Sequence, residues 1–158
     1  MGLDMFLERR QFIGANYKHR NVKGTINLTE GEENTPIKVA LSKIFAIVYL
    51  EVYWRKANAI HAWFVANCQD GVDECQESYV STEKLQELLA ICQQVLDALE
   101  KHEDVSKAAE LLPPQAGFFF GSTDIDQGYV EDLKYTVTEI QRLLAECPDG
   151  DFYYSASW

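Results

Sequence analysis

Alternating apolar side chains at both ends of the chain constrain its fold more than any other feature. Near the start, the segment GLDMFLE at residues 2–8 places Leu3, Met5 and Leu7 on one face. The final segment, DFYYSASW at residues 151–158, alternates in the same way. A period of two residues indicates a β-strand with one buried face. We therefore predict that the two terminal strands pair in one small antiparallel sheet.

Between these ends, apolar residues recur at helical spacing behind residues that cap helices. Ser, Thr and Asp side chains accept hydrogen bonds from the free N–H groups of a first helical turn, and consecutive prolines end a helix. Three helices are predicted on this basis: one from Ser81 or Thr82, a short one from Asp104 to Leu112, and one from about Asp126 or Gly128 to Glu146. The prediction is an α+β fold, a mainly helical single domain over residues 1–158 with a small antiparallel sheet near the termini.

The segment from Thr35 to Asn67 fits two secondary structures. Thr35-Pro36 is typical of a helix start, because Thr can cap and Pro loses nothing at the first helical position. The central IFAIVYLEVYW is rich in β-branched and aromatic residues and also fits a strand. We predict a helix, because the apolar positions continue at helical spacing into ANAIHAWFVA. A helix of this length is expected to break once.

On that helix, Trp54, Asn58 and His61 would share one side, opposite an apolar face. Such residues are unusual choices for a plain solvent face, where Lys or Glu would serve. An indole that stacks, an amide and an imidazole that hydrogen-bond, and the nearby Arg55 and Lys56 suit a nucleobase and its phosphate. The alternative is an ordinary solvent-facing helix, in which His61 is only a satisfied hydrogen-bonding residue.

A second cluster, GFFFGST at residues 117–123, adds candidates. If the run is extended, Phe119 must point opposite to its two neighbours, so that a ring is left exposed or covered by a partner. Ser122 and Thr123 precede a helix and offer hydroxyl and N–H groups to an anion, although such residues also simply cap helices. The predicted ligand-binding residues are Trp54, Arg55, Lys56, Asn58, His61, Phe119, Ser122 and Thr123.

Composition and spacing exclude several functions. The chain has 25 acidic against 14 basic residues and a net charge of −11, which argues against general nucleic-acid binding. Six basic residues lie in the first 23 positions. We interpret them as a solvated basic edge, and a local anion site is the alternative. The acids at 124, 126, 131 and 132 lack calcium-loop spacing and are expected to be solvated. The cysteines match no zinc pattern, so neither a metal nor a cofactor is predicted.

No catalytic motif is present, and we predict that the protein is not an enzyme. The longest apolar run, Ile44–Leu50, is too short to span a bilayer. Without a signal peptide, the chain is expected to be cytoplasmic with reduced cysteines, and a Cys68–Cys75 bridge is the alternative.

Five blocks, MGLDMFLERR, YWRKANAIHAWFV, QDGVDEC, LPPQAGFFFGST and YVEDLKYT, resemble a family of small, largely uncharacterised phage- and prophage-encoded proteins. The resemblance implies action in the cytosol of an infected bacterium and implies no reaction. By analogy with other small acidic phage proteins, we expect a homo-oligomer that binds a small anionic ligand and sequesters a nucleotide immune signal, countering host defence. The alternative is an acidic inhibitor that masks a host defence protein through Asp70–Glu77 and Asp124–Asp132. A third possibility is a nucleotide hydrolase that uses His61.

Overall fold

The structure is a computed structural model that describes residues 2–13, 28–30, 35–37, 44–102 and 104–158. The chain divides into two compact units, one comprising Met1–Arg9 with Tyr49–Trp158 and the other Arg10–Val48. The strands are β1 (Asp4–Phe12), β2 (Thr29–Glu30), β3 (Thr35–Pro36), β4 (Ala46–Arg55), β5 (Ser78–Val80) and β6 (Asp151–Ser157). The helices are α1 (Asn58–Cys68), α2 (Thr82–His102), α3 (Val105–Leu111) and α4 (Gln127–Glu146). The predicted α+β class is confirmed.

The two terminal strands lie side by side at the centre of a four-stranded antiparallel sheet. The strand order is β4-β1-β6-β5, so the predicted pairing of the chain ends is confirmed. Strand β6 pairs with β5 in a register that sets Tyr153 opposite Tyr79. Leu3, Met5 and Leu7 are all fully buried, as their alternation predicts. These residues belong to one apolar core that also includes buried residues of β6 and of α1, α2 and α4.

Helices α2, α3 and α4 begin where their capping residues predict. The Oγ of Ser81 accepts from the N–H of Lys84 at 3.3 Å. Asp104 and Asp126 cap α3 and α4 by accepting backbone N–H bonds at 2.9 and 3.0 Å. Helix α2 packs against both α3 and α4. Within the described ranges, no helix is both long and apolar enough to cross a membrane.

The predicted helix from Thr35 to Asn67 is wrong over most of its described length. Thr35–Pro36 forms β3, which pairs antiparallel with β2. Residues 38–43 lie outside the described residues. Ala46–Arg55 is strand β4, and the helix begins only at Asn58. The β-branched and aromatic residues of this segment find a place beside β1, and this non-local pairing outweighs a helical spacing of apolar positions.

Candidate functional site

A cavity of about 310 Å³ opens where β4 leads into α1 and where the preceding loop leads into α4. Its size lies at the lower end of the range of small-molecule sites. Four of the predicted ligand-binding residues line it: Arg55, Lys56, Asn58 and Ser122. The structure therefore brings together half of the predicted set, from two segments that are far apart in the sequence.

A sharp corner between β4 and α1 places Lys56 at the cavity. Lys56 has a φ of 61°, in the left-handed region that side chains other than glycine rarely adopt. Two backbone hydrogen bonds of 2.8 Å hold Lys56 in this conformation. The N–H of Lys56 donates to the carbonyl of Leu3, and the N–H of Asn58 donates to the carbonyl of Lys56. The second bond closes a three-residue turn around Ala57, whose φ of −74° and ψ of 66° define an inverse γ-turn. Residues held in strained conformations cluster at ligand sites.

Gly121 lets the loop before α4 approach this corner closely. Its φ is +92°, and a Cβ there would lie 3.3 Å from the Cβ of Lys56. A larger residue would be strained at this position and would also crowd the lysine. Glycine is therefore required for the loop to form one side of the cavity.

The first turn of α1 lacks a side-chain cap, and its residues line the cavity. Ala57 occupies the capping position, no side chain caps the helix, and no acidic residue lies in its first turn. The N–H of His61 donates to the carbonyl of Ala57 at 3.0 Å. In the part of the chain that the structure describes, the N–H groups of Ala59 and Ile60 have no acceptor. A helix N-terminus carries a partial positive charge and binds anions through such groups.

Two cationic side chains lie next to this helix start. Arg55 and Lys56 are both exposed and both line the cavity. Lys56 forms no side-chain hydrogen bond or ion pair with the residues that the structure describes. The ammonium group and the helix N-terminus together make this end of the cavity attractive to an anion.

Asn58 bonds the loop that forms one side of the cavity, and its side-chain donors and acceptor are all occupied by backbone groups of the protein. Its amide donates to the carbonyls of Phe120 at 3.0 Å and Ser122 at 2.7 Å. Its side-chain oxygen accepts from the N–H of Gln115 at 3.1 Å. The side chain is buried. Asn58 therefore fixes the 115–122 loop on α1, whereas the sequence suggested that it reads the edge of a ligand.

Carboxylates from α4 and the loop before it line another part of the cavity. Asp126 caps α4, and Glu131 accepts from the side chain of Gln127 at 3.2 Å. The carboxylate of Asp132 has no hydrogen bond or ion pair within the described ranges. Burial, and then the charges of Asp126 and Glu131, raise the pKa of Asp132 to about 6. The expectation that these acids are all solvated is wrong for Asp132, because the start of α4 packs it into a half-buried position.

Trp54 is part of the core and not of the cavity. It lies in β4, is 2% exposed, and donates its indole N–H to the hydroxyl of Thr136 at 2.8 Å. Its ring packs against Phe64. The predicted helical stripe of Trp54, Asn58 and His61 is wrong, because a strand end and a turn separate the tryptophan from the other two. The indole face is not accessible for stacking on a base in this packing.

His61 is fully buried within a hydrogen-bond network. Its Nδ1 lies 2.7 Å from the hydroxyl of Tyr154, and its Nε2 lies 3.0 Å from a carboxylate oxygen of Asp73. The other oxygen of Asp73 accepts from the indole N–H of Trp158 at 3.1 Å. Burial raises the pKa of Tyr154 well above its ordinary value, which keeps its hydroxyl protonated. Both ring nitrogens have partners, so a catalytic role would require this network to open.

The aromatic run at residues 118–120 forms a turn and not a strand. Phe118 is 93% exposed, whereas Phe120 is buried with its ring centroid 5.2 Å from that of His61. Phe119 packs edge-on against Phe118 and is partly buried. Thr123 is exposed, and neither it nor Phe119 lines the cavity. The predicted exposed ring is found, but at Phe118, because a turn does not follow the alternation of a strand.

Two of the four cysteines are buried thiols, and no metal-binding cluster forms within the described ranges. All four cysteines are free, so the Cys68–Cys75 bridge is absent. Burial raises the pKa of the Cys68 thiol to about 11 and that of Cys92 to about 12, which keeps both protonated. No group of three or more His, Cys, Asp or Glu side chains in these ranges is arranged to hold a metal ion.

The N-terminal basic residues add no described anion site. Arg9 forms an ion pair with Glu51 at 2.7 Å, and its guanidinium lies 4.1 Å from the ring centre of Tyr49. The basic residues at positions 18, 19, 20 and 23 lie outside the described residues.

Comparison with protein-family models, with curated proteins and with solved structures found no match. The resemblance to phage-encoded proteins stays a prediction, and function has to be argued from the site itself. Sequence reasoning missed two parts of that site, the carboxylate of Asp132 and the N–H groups of Ala59 and Ile60, which have no acceptor among the described residues. The N–H groups had a signal in the sequence, because Lys56-Ala57 stands where a capping Ser, Thr, Asp or Asn is usual.

Proposed function

We propose that the protein is a non-enzymatic binding protein whose cavity holds the anionic group of a small ligand at the start of α1. The observation that carries this proposal is that the uncapped first turn of α1 lies in one cavity with the ammonium of Lys56, which pairs with none of the described residues. N–H groups without acceptors are unfavourable away from water, and an oxyanion would satisfy them. Arg55, at the same end, adds a planar donor that suits phosphate.

A nucleotide is the ligand that we expect. The cavity of about 310 Å³ extends beyond the cationic end to an apolar and acidic lining that includes Ile60, Tyr129 and Leu133. Such a lining suits a heterocycle attached to the phosphate. Together with the resemblance to phage proteins, this supports the sequestration of a nucleotide immune signal.

Binding without turnover receives support from three candidate nucleophiles or bases, His61, Cys68 and Cys92. His61 has both ring nitrogens occupied and is fully buried, and the Cys68 and Cys92 thiols are protonated. Masking of a host protein by the acidic 70–77 loop receives less support. Asp73, in that loop, is directed inward to His61 and Trp158.

The test is thermal unfolding of the full chain with a panel of mononucleotides, cyclic nucleotides, ADP-ribose and inorganic phosphate. A ligand at 100 times its Kd adds about 2.7 kcal/mol to the free energy of unfolding. For a domain of this size that is a rise in Tm of roughly 5–10 °C. Chromatography of the recovered ligand then separates sequestration from hydrolysis.

Lys56→Gln and Lys107→Gln form a matched pair for this test. Both remove one exposed lysine charge, but Lys107 lies on α3 outside the cavity. We expect Lys56→Gln to reduce the rise in Tm and Lys107→Gln to leave it unchanged. A flat panel, or an equal rise in Tm for the two variants, would contradict the proposed site.

A further inference from the structure

We propose that the outer face of the four-stranded sheet binds an extended, basic segment of a partner protein through arginine or lysine side chains. We call this surface the aromatic face and define it by Phe6, Tyr53, Tyr79 and Tyr153, one residue from each strand of the sheet. These four are not among the described residues that line the cavity, so that binding here would be independent of the proposed function.

The alternation of the strands places the four rings on one side of the sheet. Successive side chains of a strand point to opposite faces. The sequence neighbours of the four rings belong to the buried core, and they include Met5, Leu7, Val52, Trp54, Val80, Phe152 and Tyr154. The aromatic face therefore lies opposite the core, and on it Tyr53 and Tyr79 are 39% and 54% exposed.

The four rings form two contacts between neighbouring strands. The ring centroids of Phe6 and Tyr53 are 5.5 Å apart, and those of Tyr79 and Tyr153 are 5.7 Å apart. Because β1 and β6 are adjacent, the two pairs lie side by side across the sheet. Aromatic side chains that neighbours hold in place are typical anchors of protein interfaces, since little conformational freedom is lost on binding.

A carboxylate accompanies each ring pair. The hydroxyl of Tyr53 donates to a carboxylate oxygen of Asp4. Burial, and then the charge of Asp151, raise the pKa of the Tyr79 hydroxyl, as a carboxylate close to that ring would do. A cation between a ring and a carboxylate is attracted by both, through the quadrupole of the ring and through the negative charge.

The same arrangement of ring, carboxylate and arginine occurs within the chain. The guanidinium of Arg9 lies 4.1 Å from the ring centre of Tyr49, and its Nε lies 2.7 Å from a carboxylate oxygen of Glu51. The ring and the carboxylate come from one strand, β4. An arginine of a partner would find the corresponding pair of groups at Tyr53 and Asp4.

Charge decides between the possible occupants of the aromatic face. By the alternation of their strands, Asp4, Glu8 and Asp151 share this side of the sheet, and Arg55 lies on it at the end of β4. Such a surface repels the phosphates of a nucleic acid, and a second copy would bring the same acids against it. A basic segment is attracted both here and by the net charge of −11. The complementary partner is therefore a protein segment that carries several arginines or lysines.

The test is fluorescence anisotropy of the full chain with labelled peptides. A peptide of about eight residues is long enough to cross the roughly 15 Å between the outer strands of a four-stranded sheet. In the probe peptide arginine alternates with serine, in the control peptide glutamine replaces the arginine, and a single-stranded thymidine oligonucleotide is the third ligand. We expect the arginine peptide to bind at least about tenfold more tightly than the glutamine peptide. No binding of the arginine peptide, equal binding of the glutamine peptide, or tighter binding of the oligonucleotide would overturn the proposal.

Substitutions then locate the site. Tyr53→Leu and Tyr79→Leu each remove a ring and keep an apolar side chain, and we expect each to weaken binding of the arginine peptide by about 2- to 30-fold. Tyr135→Leu is the matched control, because Tyr135 is an exposed tyrosine on α4, outside the sheet. It should bind the peptide as the wild type does. Equal weakening by all three variants would mean that the aromatic face is not the site.

A second pair of variants tests the charge of the face without removing a ring. Glu8→Gln neutralises an acid of the aromatic face, whereas Glu110→Gln neutralises an exposed acid on α3. We expect Glu8→Gln to weaken binding of the arginine peptide by about 2- to 5-fold and Glu110→Gln to leave it unchanged. If both weaken it equally, the peptide binds the acidic surface at large and the proposed site is wrong.

Sedimentation velocity of the wild type and of Tyr79→Leu tests the other occupant, a second copy of the chain. An oligomeric state that is the same in both proteins is the expected result. A wild-type dimer that dissociates in Tyr79→Leu would make the aromatic face an interface between copies and would overturn the proposal.

Discussion

The proton on Asp132 should make the free energy of unfolding fall as the pH rises through the mildly acidic range. Burial, with Asp126 and Glu131, raises its pKa from 3.8 to about 6 in the folded protein. Between these two values the folded chain keeps a proton that the unfolded chain has lost. Because the folded state binds more protons there, stability decreases with pH from about 4 to about 6 and stays lower above that range.

The size of this effect follows from the same two pKa values. A rise in the pKa of Asp132 from 3.8 to about 6 lowers the free energy of unfolding at neutral pH by roughly 3 kcal/mol, if water screens none of the interaction. Asp132 is only half-buried, so that water screens part of the interaction and about 1–2 kcal/mol is a more realistic magnitude. Replacing the carboxylate by an amide removes the ionisation and therefore the penalty.

Urea unfolding of the wild-type protein and of Asp132→Asn, at pH 4 and at pH 7.5, measures this directly. We expect the variant to be more stable by about 1–2 kcal/mol at pH 7.5 and equal to the wild type at pH 4. Asp149→Asn, at an exposed turn, is the control and should track the wild type at both values. If Asp132→Asn is equally or less stable at pH 7.5, the carboxylate has a favourable partner and the reasoning about its environment is refuted.

Three further substitutions test the corner and the core around the cavity. Asn58→Ala removes three hydrogen bonds to the 115–122 loop, so that three backbone groups lose their partner. We expect urea unfolding to show that the free energy of unfolding falls by about 2–4 kcal/mol. Lys56→Gly relieves the strain of the left-handed backbone at φ 61°. Urea unfolding should therefore show a free energy of unfolding that is higher by up to about 1 kcal/mol. Calorimetry with phosphate should show weaker binding, because the ammonium group is lost. Tyr154→Phe leaves the Nδ1 of His61 without its hydroxyl partner, and thermal unfolding should show a loss of roughly 1–3 kcal/mol.

Two of these substitutions have a matched control. Asn67→Ala, at an exposed position of the same helix, removes one amide hydrogen bond and should cost far less than Asn58→Ala. Tyr79→Phe changes an exposed tyrosine on β5 and should leave Tm nearly unchanged. A Lys56→Gly variant that is less stable than the wild type would mean that the strain at this corner is smaller than the flexibility that glycine adds to the unfolded chain.

The helices of the second half of the chain were predictable because their signals are local. A cap such as Ser81 or Asp126 satisfies N–H groups within three residues, so that the start of the helix does not depend on the rest of the fold. The strand at Ala46–Arg55 was not predictable in the same way. Its residues fit either a strand or a buried helix, and the place beside β1 decided between them.

The candidate site was predicted in part. Four of the eight predicted residues, Arg55, Lys56, Asn58 and Ser122, line one cavity. The type of a polar residue did not show whether its side chain is available to a ligand or is hydrogen-bonded within the protein. The amide of Asn58 and the ring of His61 are occupied by partners 12 to 93 positions away in the sequence.

The sequence by itself determined the terminal strands, their buried faces and the caps of three helices, because each depends on a local period or on a hydrogen bond within one turn. Only the tertiary structure decided that β4 is a strand, that the 115–122 loop lies on α1, and that Asp132 is a half-buried carboxylate without a partner among the described residues. Those features depend on contacts between segments that are distant in the sequence. The balance of burial and charge at such contacts is set by the packing and not by the residue types alone.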